Sequence, residues 1–214
     1  MIKPIVVGRF ERVAMRILLV GASGTLGTAV RSALADRHEL ITASRSGADE
    51  RVDITDPESV ARLYAVVGTV DAVACAAGSV TLTALARLSR EDLEAGIRHK
   101  LLGQVELVRL GQAHVRPGGS FTLITSVLSD DPVPGSAAAA LVSGGLKAFV
   151  RAAAIELPAG LRINAVSPSV FTTSLPSALF PGAVGVAPAR VARAYVKSIE
   201  GAQTGQIYRV EEQF

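Results

Sequence analysis

The sequence holds one cysteine and no tryptophan, and its three histidines, three tyrosines and six phenylalanines are thinly spread over 214 residues. A lone Cys75 forms no internal disulfide, so a reducing compartment, the cytoplasm, is expected. Its apolar setting, Asp71-Ala-Val-Ala-Cys-Ala-Ala-Gly78, reads as a buried thiol rather than a nucleophile. Scarce aromatics argue against a stacking platform for nucleic acid, and scattered basic residues with a formal net charge of +3 form no concentrated patch. His38, His99 and His114 lack ligand spacing and a cysteine partner, so no metal site is expected. No apolar run reads as long enough to span a bilayer, and no membrane partner is expected. Residues 1–14 carry Lys3, Arg9, Glu11 and Arg12, with Pro4 interrupting, and so lack a signal peptide's unbroken apolar core. They read as a flexible or loosely docked extension ahead of a single domain over residues 15–214.

Apolar residues make up 49% and charged residues 19%, which excludes a disordered chain and supplies one sizeable core. Strand-like and helix-like stretches alternate, the pattern of a parallel sheet with crossover helices. Strands are expected at Arg16–Val20, Glu39–Ala43, Asp71–Ala76, Ser120–Thr125, Arg162–Val166 and Gly205–Val210. Helices are expected to about Asp36 from the first turn, from Asp56-Pro57, from Ser89 towards His114 with a bend near Gly103, over about Ala137–Leu157, and from Pro188. Asp56 and Ser89 supply N-caps, the latter with Asp92 three residues on. Pro117-Gly-Gly119 reads as a turn. The expectation is an α/β fold: a Rossmann-type doubly wound parallel sheet in a three-layer α/β/α domain.

Between the first strand and its helix stands Gly21-Ala-Ser-Gly-Thr-Leu-Gly27. Glycines there permit a tight turn and close backbone approach, and the helix start offers unpaired N–H groups and a partial positive charge to a pyrophosphate. Gly21, Ser23, Gly24, Thr25, Leu26 and Gly27 are therefore candidate cofactor-binding residues. A binder of NAD commonly ends its second strand on a carboxylate that accepts from the adenosine 2′-hydroxyl. Here that stretch is Ala43-Ser-Arg-Ser46. Arg45, helped by Ser44 and Ser46, suits a 2′-phosphate instead, which points to NADP(H).

The order of these features resembles the short-chain dehydrogenase/reductase family from Met15 to Glu211. Val52-Asp-Ile-Thr-Asp-Pro-Glu-Ser59 is similar to the segment whose first Asp bonds adenine, which implies Asp53 and Ile54 at the cofactor. Ala76-Ala-Gly78 stands where the family has Asn-Ala-Gly. Ile124-Thr-Ser126 resembles the end of the strand carrying the catalytic serine. Arg162-Ile-Asn-Ala-Val-Ser-Pro168 resembles the strand leading to the nicotinamide, with Pro168 and Thr173 implied near the carboxamide.

The family's redox chemistry uses a Tyr-x-x-x-Lys pair on the following helix, and the resemblance fails at that pair. One register offers Ser143-Gly-Gly-Leu-Lys147. The other, which keeps the family's distance from Ser126, puts Ala139 at the Tyr position and Ser143 at the Lys position. Both lack the tyrosine. Lys100-Leu-Leu-Gly103 aligns Lys100 with the family's fourth catalytic residue, an Asn. The expected catalytic residues are thus Ser126 and Lys100, with Lys100 a desolvated proton donor; His99 beside it reads as a surface or packing residue. The resemblance implies an NADP(H)-dependent oxidoreductase acting on a small or apolar carbonyl or alcohol. A catalytically degenerate nucleotide-binding protein, serving as a redox sensor or partner-binding scaffold, is the alternative. Leu175, Leu179, Phe180 and Val184 suggest an apolar lid over the substrate. The resemblance also implies a homodimer or homotetramer, with Ser136-Ala-Ala-Ala-Ala140 as a face permitting close helix approach.

Overall fold

The computed structural model describes residues 13–172 and 185–212. Strand β1 (Arg16–Val20) runs Ile-Leu-Leu-Val without a polar break, and Ile17, Leu18 and Leu19 are wholly buried. An unbroken apolar run is what a strand covered on both faces requires. Helix α1 (Thr25–Leu34), strand β2 (Glu39–Ser44), a two-residue β3 (Glu50–Arg51) and helix α2 (Pro57–Val67) follow. Strand β4 (Val70–Cys75) leads to one long helical stretch: α3 (Arg90–Gly96), a π-helical turn (Ile97–Leu102) and α4 (Gly103–Gly111). Strand β5 (Val115–Ile124), helix α5 (Ala137–Glu156), strand β6 (Arg162–Pro168), helix α6 (Pro188–Glu200) and strand β7 (Ile207–Val210) complete the chain.

The seven strands are parallel in the order β3-β2-β1-β4-β5-β6-β7. Alternate residues of a strand face opposite layers. Leu18, Val73, Phe121 and Ile163 pack beneath Leu63 of α2, Leu107 of α4 and Leu146 and Val150 of α5. Ile17, Leu19, Ala72 and Ala74 pack against Val30 and Leu34 of α1 and Val191, Tyr195 and Ile199 of α6. Burying each large aliphatic side chain contributes roughly 1.5–3 kcal/mol, and cutting Phe121 back to alanine would cost about 3–5 kcal/mol. The strand order reverses at β1, so the carboxyl ends of β1 and β4 open a crevice between diverging connections.

The helix starts follow their expected caps. The Glu58 N–H donates to the Asp56 carboxylate at 3.0 Å, and Ser89 and Asp92 exchange bonds in a capping box. The bend expected near Gly103 is the π turn just before it. A Cβ on Gly103 would lie 2.8 Å from Ile54 Cγ1, so only glycine lets the long helix close on that segment.

Four details depart from the sequence reading. β3 is too short to leave a pattern. Residues 117–119 form no free turn but a bulge inside β5, where pairing jumps from Val70–Val115 to Ala72–Ser120 and Gly118 takes φ 77°. Helix α5 is, by length and composition, apolar enough to cross a bilayer (20 residues, mean hydropathy 1.4), against the expectation that no such run exists. Its inner face lies on the sheet through Leu146, Val150 and Ala153, as the core helix of a three-layer fold requires. In the Ser136–Ala140 stretch, Ser136, Ala138 and Ala139 are buried within the chain rather than offered outward.

Candidate functional site

The crevice at the carboxyl ends of β1 and β4 is a cavity of about 270 Å³. The turn after β1 builds its floor. Gly21 has φ 86°, and a Cβ there would lie 2.8 Å from Ala76 C and Ala77 N, so the turn presses on the loop after β4. A Cβ on Gly27 would lie 2.0 Å from the Gly21 carbonyl oxygen. Gly24 is different: its Cβ would meet only Gly21 O, at 3.5 Å, so its open side faces the cavity. No side chain caps the start of α1 behind it, and the helix N-terminus is available to an anion. Gly21, Ser23 and Gly24 line the cavity; Thr25 opens α1, and buried Leu26 and Gly27 hold the helix against the turn.

One end of the cavity is polar. Ser44, Arg45 and Ser46 line it, with the Ser44 hydroxyl donating to Ser46 O at 2.6 Å to shape that loop. The nearest downstream carboxylate, Asp49, is spent on Thr42, accepting from its N–H at 2.9 Å and its hydroxyl at 2.7 Å. Asp53 and Ile54 line the facing wall. Asp53 Oδ1 accepts from the Thr55 N–H (2.9 Å) and hydroxyl (2.8 Å), and these bonds hold its carboxyl below the usual range, with smaller help from the charges of Arg45 and His99. His99 lines this cavity. Thr55 and Ser79 also line the cavity and carried no sequence signal.

The other end is furnished differently. Ala76, Ala77 and Gly78 line the cavity, and Lys100 lies directly behind Gly78, where a Cβ would sit 3.0 Å from Lys100 Cγ. Lys100 is 9% exposed, and its ammonium has no hydrogen bond or carboxylate partner among the described residues. Burial pushes its pKa down to about 8. The neighbouring Cys75 thiol is pushed up to about 12 by burial, so it is inert as a nucleophile. Ser126 Oγ accepts from the Leu128 N–H at 3.2 Å, which leaves its own proton to donate. Ser126, Lys100, Ser143 and Pro168 lie outside the lining of the cavity itself; Thr173 and the expected lid residues Leu175, Leu179, Phe180 and Val184 lie outside the described residues.

The two helix registers put different residues at the site. Lys147 is buried and its ammonium pairs with Asp130, so it serves a structural ion pair. Ser143 is level with the end of β5, its carbonyl accepting from the Thr125 hydroxyl at 3.0 Å, and its own buried Oγ has no partner among the described residues. Ala139, one turn earlier, packs on Leu128 with Val80, Leu82, Val133 and Val170 around it. No tyrosine stands in from elsewhere. Tyr64 bonds Leu107 O, Tyr195 bonds Cys75 O and Tyr208 bonds Gln203, all at 2.6–2.9 Å.

A family model described as Enoyl-(Acyl carrier protein) reductase matches residues 12–203. The chain belongs to the short-chain dehydrogenase/reductase family. Among solved structures, the protein lin1944 from Listeria innocua is 47% identical, with a TM-score of 0.90, over 92% of this chain and all of that one. A small-chain dehydrogenase crystallised with NADPH has a TM-score of 0.82 at 22% identity, over 93% of this chain and 97% of that one. A short chain dehydrogenase from Mycobacterium smegmatis has a TM-score of 0.81 at 22% identity, over 94% and 93%. No curated protein matches the sequence. In this short-chain dehydrogenase/reductase, the glycine turn joins β1 to α1 and Ser126 follows β5, while α5 carries Ala139 and Ser143.

Proposed function

We propose that the protein is an NADP(H)-dependent oxidoreductase that reduces a small or apolar carbonyl, or oxidises the matching alcohol, with Lys100 in place of the family's tyrosine as proton donor. The Lys100 side chain, buried behind Gly78 and with no hydrogen-bond or carboxylate partner for its ammonium among the described residues, carries this reading. The donor set fits the cofactor: an open glycine cradle at Gly24 for the pyrophosphate, Arg45 for a 2′-phosphate, and no carboxylate at the tip of β2 to repel it. The relative crystallised with NADPH shares the fold and supports the choice. Bound there, the nicotinamide supplies or receives the hydride. Ser126 donates its hydroxyl proton in a hydrogen bond to the substrate oxygen, and the Lys100 ammonium gives up the proton that completes the alcohol, to be reprotonated from water. The apolar group around Ala139 favours an apolar substituent on the carbonyl.

A second reading rests on Ala139 and the unpartnered Ser143 hydroxyl: a cofactor-binding protein without turnover, serving as a redox sensor or scaffold. A titration with NADPH, followed by NADPH consumption over a panel of aldehydes and ketones, separates the two. Consumption that Lys100→Met abolishes upholds the first; binding without consumption over the panel upholds the second. For assembly, the reading is a homodimer or homotetramer through the outer faces of the π turn and α5, where Leu102, Leu141 and Ile155 are exposed. Sedimentation of the wild type against Leu141→Asp tests it.

A further inference from the structure

Gln104 lies on α4, one turn after Lys100, and its side chain is wholly buried. Its Nε2 donates to the Lys100 carbonyl at 2.9 Å and to the Ile124 carbonyl at 2.9 Å, while its Oε1 accepts from the Ile124 N–H at 2.8 Å. Both amide hydrogens are used, and the paired bonds to Ile124 fix which end of the amide is nitrogen. An apolar side chain of like volume would fill the space without desolvating an amide, so the three bonds are what glutamine supplies. Ile124 lies beyond the last β4–β5 pair, Ala74–Thr122, and Gln104 serves its N–H and C=O as a neighbouring strand would. The bond to Lys100 does something else. It ties that strand end to the π turn, where the Gly103 N–H donates to Arg98 O, five residues back. Ser126 stands two residues past Ile124. Thr125 between them is held by β6 and α5, its N–H donating to Val166 O at 2.8 Å and its hydroxyl to Ser143 O at 3.0 Å. Gln104 thus joins the backbone of Lys100 to the strand end that leads into Ser126.

We propose that Gln104 is a positioning residue for proton transfer: by fastening the Lys100 backbone to the end of β5, it holds the Lys100 amine in a fixed place relative to the Ser126 hydroxyl. The inference rests on the roles proposed above for Lys100 and Ser126. Gln104 itself lies outside the lining of the cofactor cavity and acts through the backbone it bonds. Proton transfer is more sensitive to such placement than binding is, because a shift of about 1 Å can cost about 100-fold in rate.

Saturation kinetics with NADPH and a ketone from the panel test it on the full chain, with Gln104→Met as an apolar variant of like size. Saturated turnover should fall about 10- to 100-fold, while KM for the ketone and NADPH affinity stay within about twofold. The pH above which turnover falls, about 8 in the wild type, should move upward as the released lysine meets water. Gln104→Glu guards against a methionine variant that fails to fold. Its carboxyl keeps an acceptor for the Ile124 N–H, and burial raises its pKa. On acidification it regains a donor for Lys100 O, and its turnover should recover relative to the wild type. Wild-type turnover with an unmoved pH profile in folded Gln104→Met, or a Gln104→Glu rate that does not recover on acidification, overturns the positioning role. So does a loss of NADPH affinity as large as the loss of turnover, since that marks general damage to the crevice. A wild type without turnover, or with turnover indifferent to Lys100→Met, overturns the roles of Lys100 and Ser126 and this inference with them, a distinguishable failure.

Discussion

The two ends of the crevice differ in how much of the family's equipment they keep. The polar end holds the glycine turn, Arg45 and Asp53, with Gly21 braced against the β4 loop and Asp53 held by Thr55. At the opposite end the tyrosine position is Ala139 in an apolar cluster, the lysine position is Ser143 with an unpartnered hydroxyl, and a lysine stands on the other helix at position 100. Binding groups work through contacts made in the ground state, whereas a proton relay works only if one group has the right pKa at one atom. The first kind of function survives substitutions that end the second. The difference teaches that, in this crevice, groups suited to binding and groups suited to proton transfer stand on different elements.

The comparison breaks most directly at Lys100. Lys100→Met should lower carbonyl reduction by about 10²–10⁴-fold while NADPH affinity, measured by fluorescence titration, stays within about twofold. Unchanged turnover would sink the donor assignment. The same change should stabilise the apo protein. The folded pKa, about 8, lies below the usual 10.5, so at pH 7 folding bears the full cost of charging a buried amine. Removing that amine should raise the unfolding free energy in urea by up to roughly 3 kcal/mol.

Arg45→Ala probes the opposite end. It should weaken NADPH binding about 10–100-fold, the worth of a charge-assisted bond, and leave NADH binding and saturated turnover unchanged. A parallel loss for NADH would place Arg45 on a part common to both cofactors. The pH response sharpens the contrast again. A protonated donor is required for reduction, so saturated turnover should be level below about pH 8 and fall up to about tenfold per unit above it. Stability should move the opposite way: between about 8 and 10.5 the unfolded chain binds more protons than the folded one, so the wild type gains stability as pH rises through that window.

The smallest expected effect is at Ser143. Its hydroxyl is buried with no partner among the described residues, so Ser143→Ala should stabilise the apo protein by about 1 kcal/mol in thermal or urea unfolding. If the same hydroxyl bonds the bound cofactor, that gain will come with a severalfold loss of NADPH affinity. Equal affinity confines Ser143 to a packing role.

Much of the fold was legible from the chain. The all-apolar run of β1 could only be a strand covered on both sides, Asp56-Pro57 and Ser89 with Asp92 could only open helices well, and the turn at Gly21, Gly24 and Gly27 could only stand between a strand and a helix. These follow from short-range physics: periodicity, caps and the sterics of a missing Cβ. The lack of an acid in Ala43-Ser-Arg-Ser46 was equally plain, because it needs only the end of one strand. Tertiary structure alone decided the rest. It paired Lys147 with Asp130, placed His99 in the lining of the cavity, hid Ser136, Ala138 and Ala139 before Leu141, and buried Lys100 behind Gly78. Each of those outcomes depends on which distant element lies opposite a side chain, and on the desolvation that follows, and neither is written in the spacing of neighbouring residues.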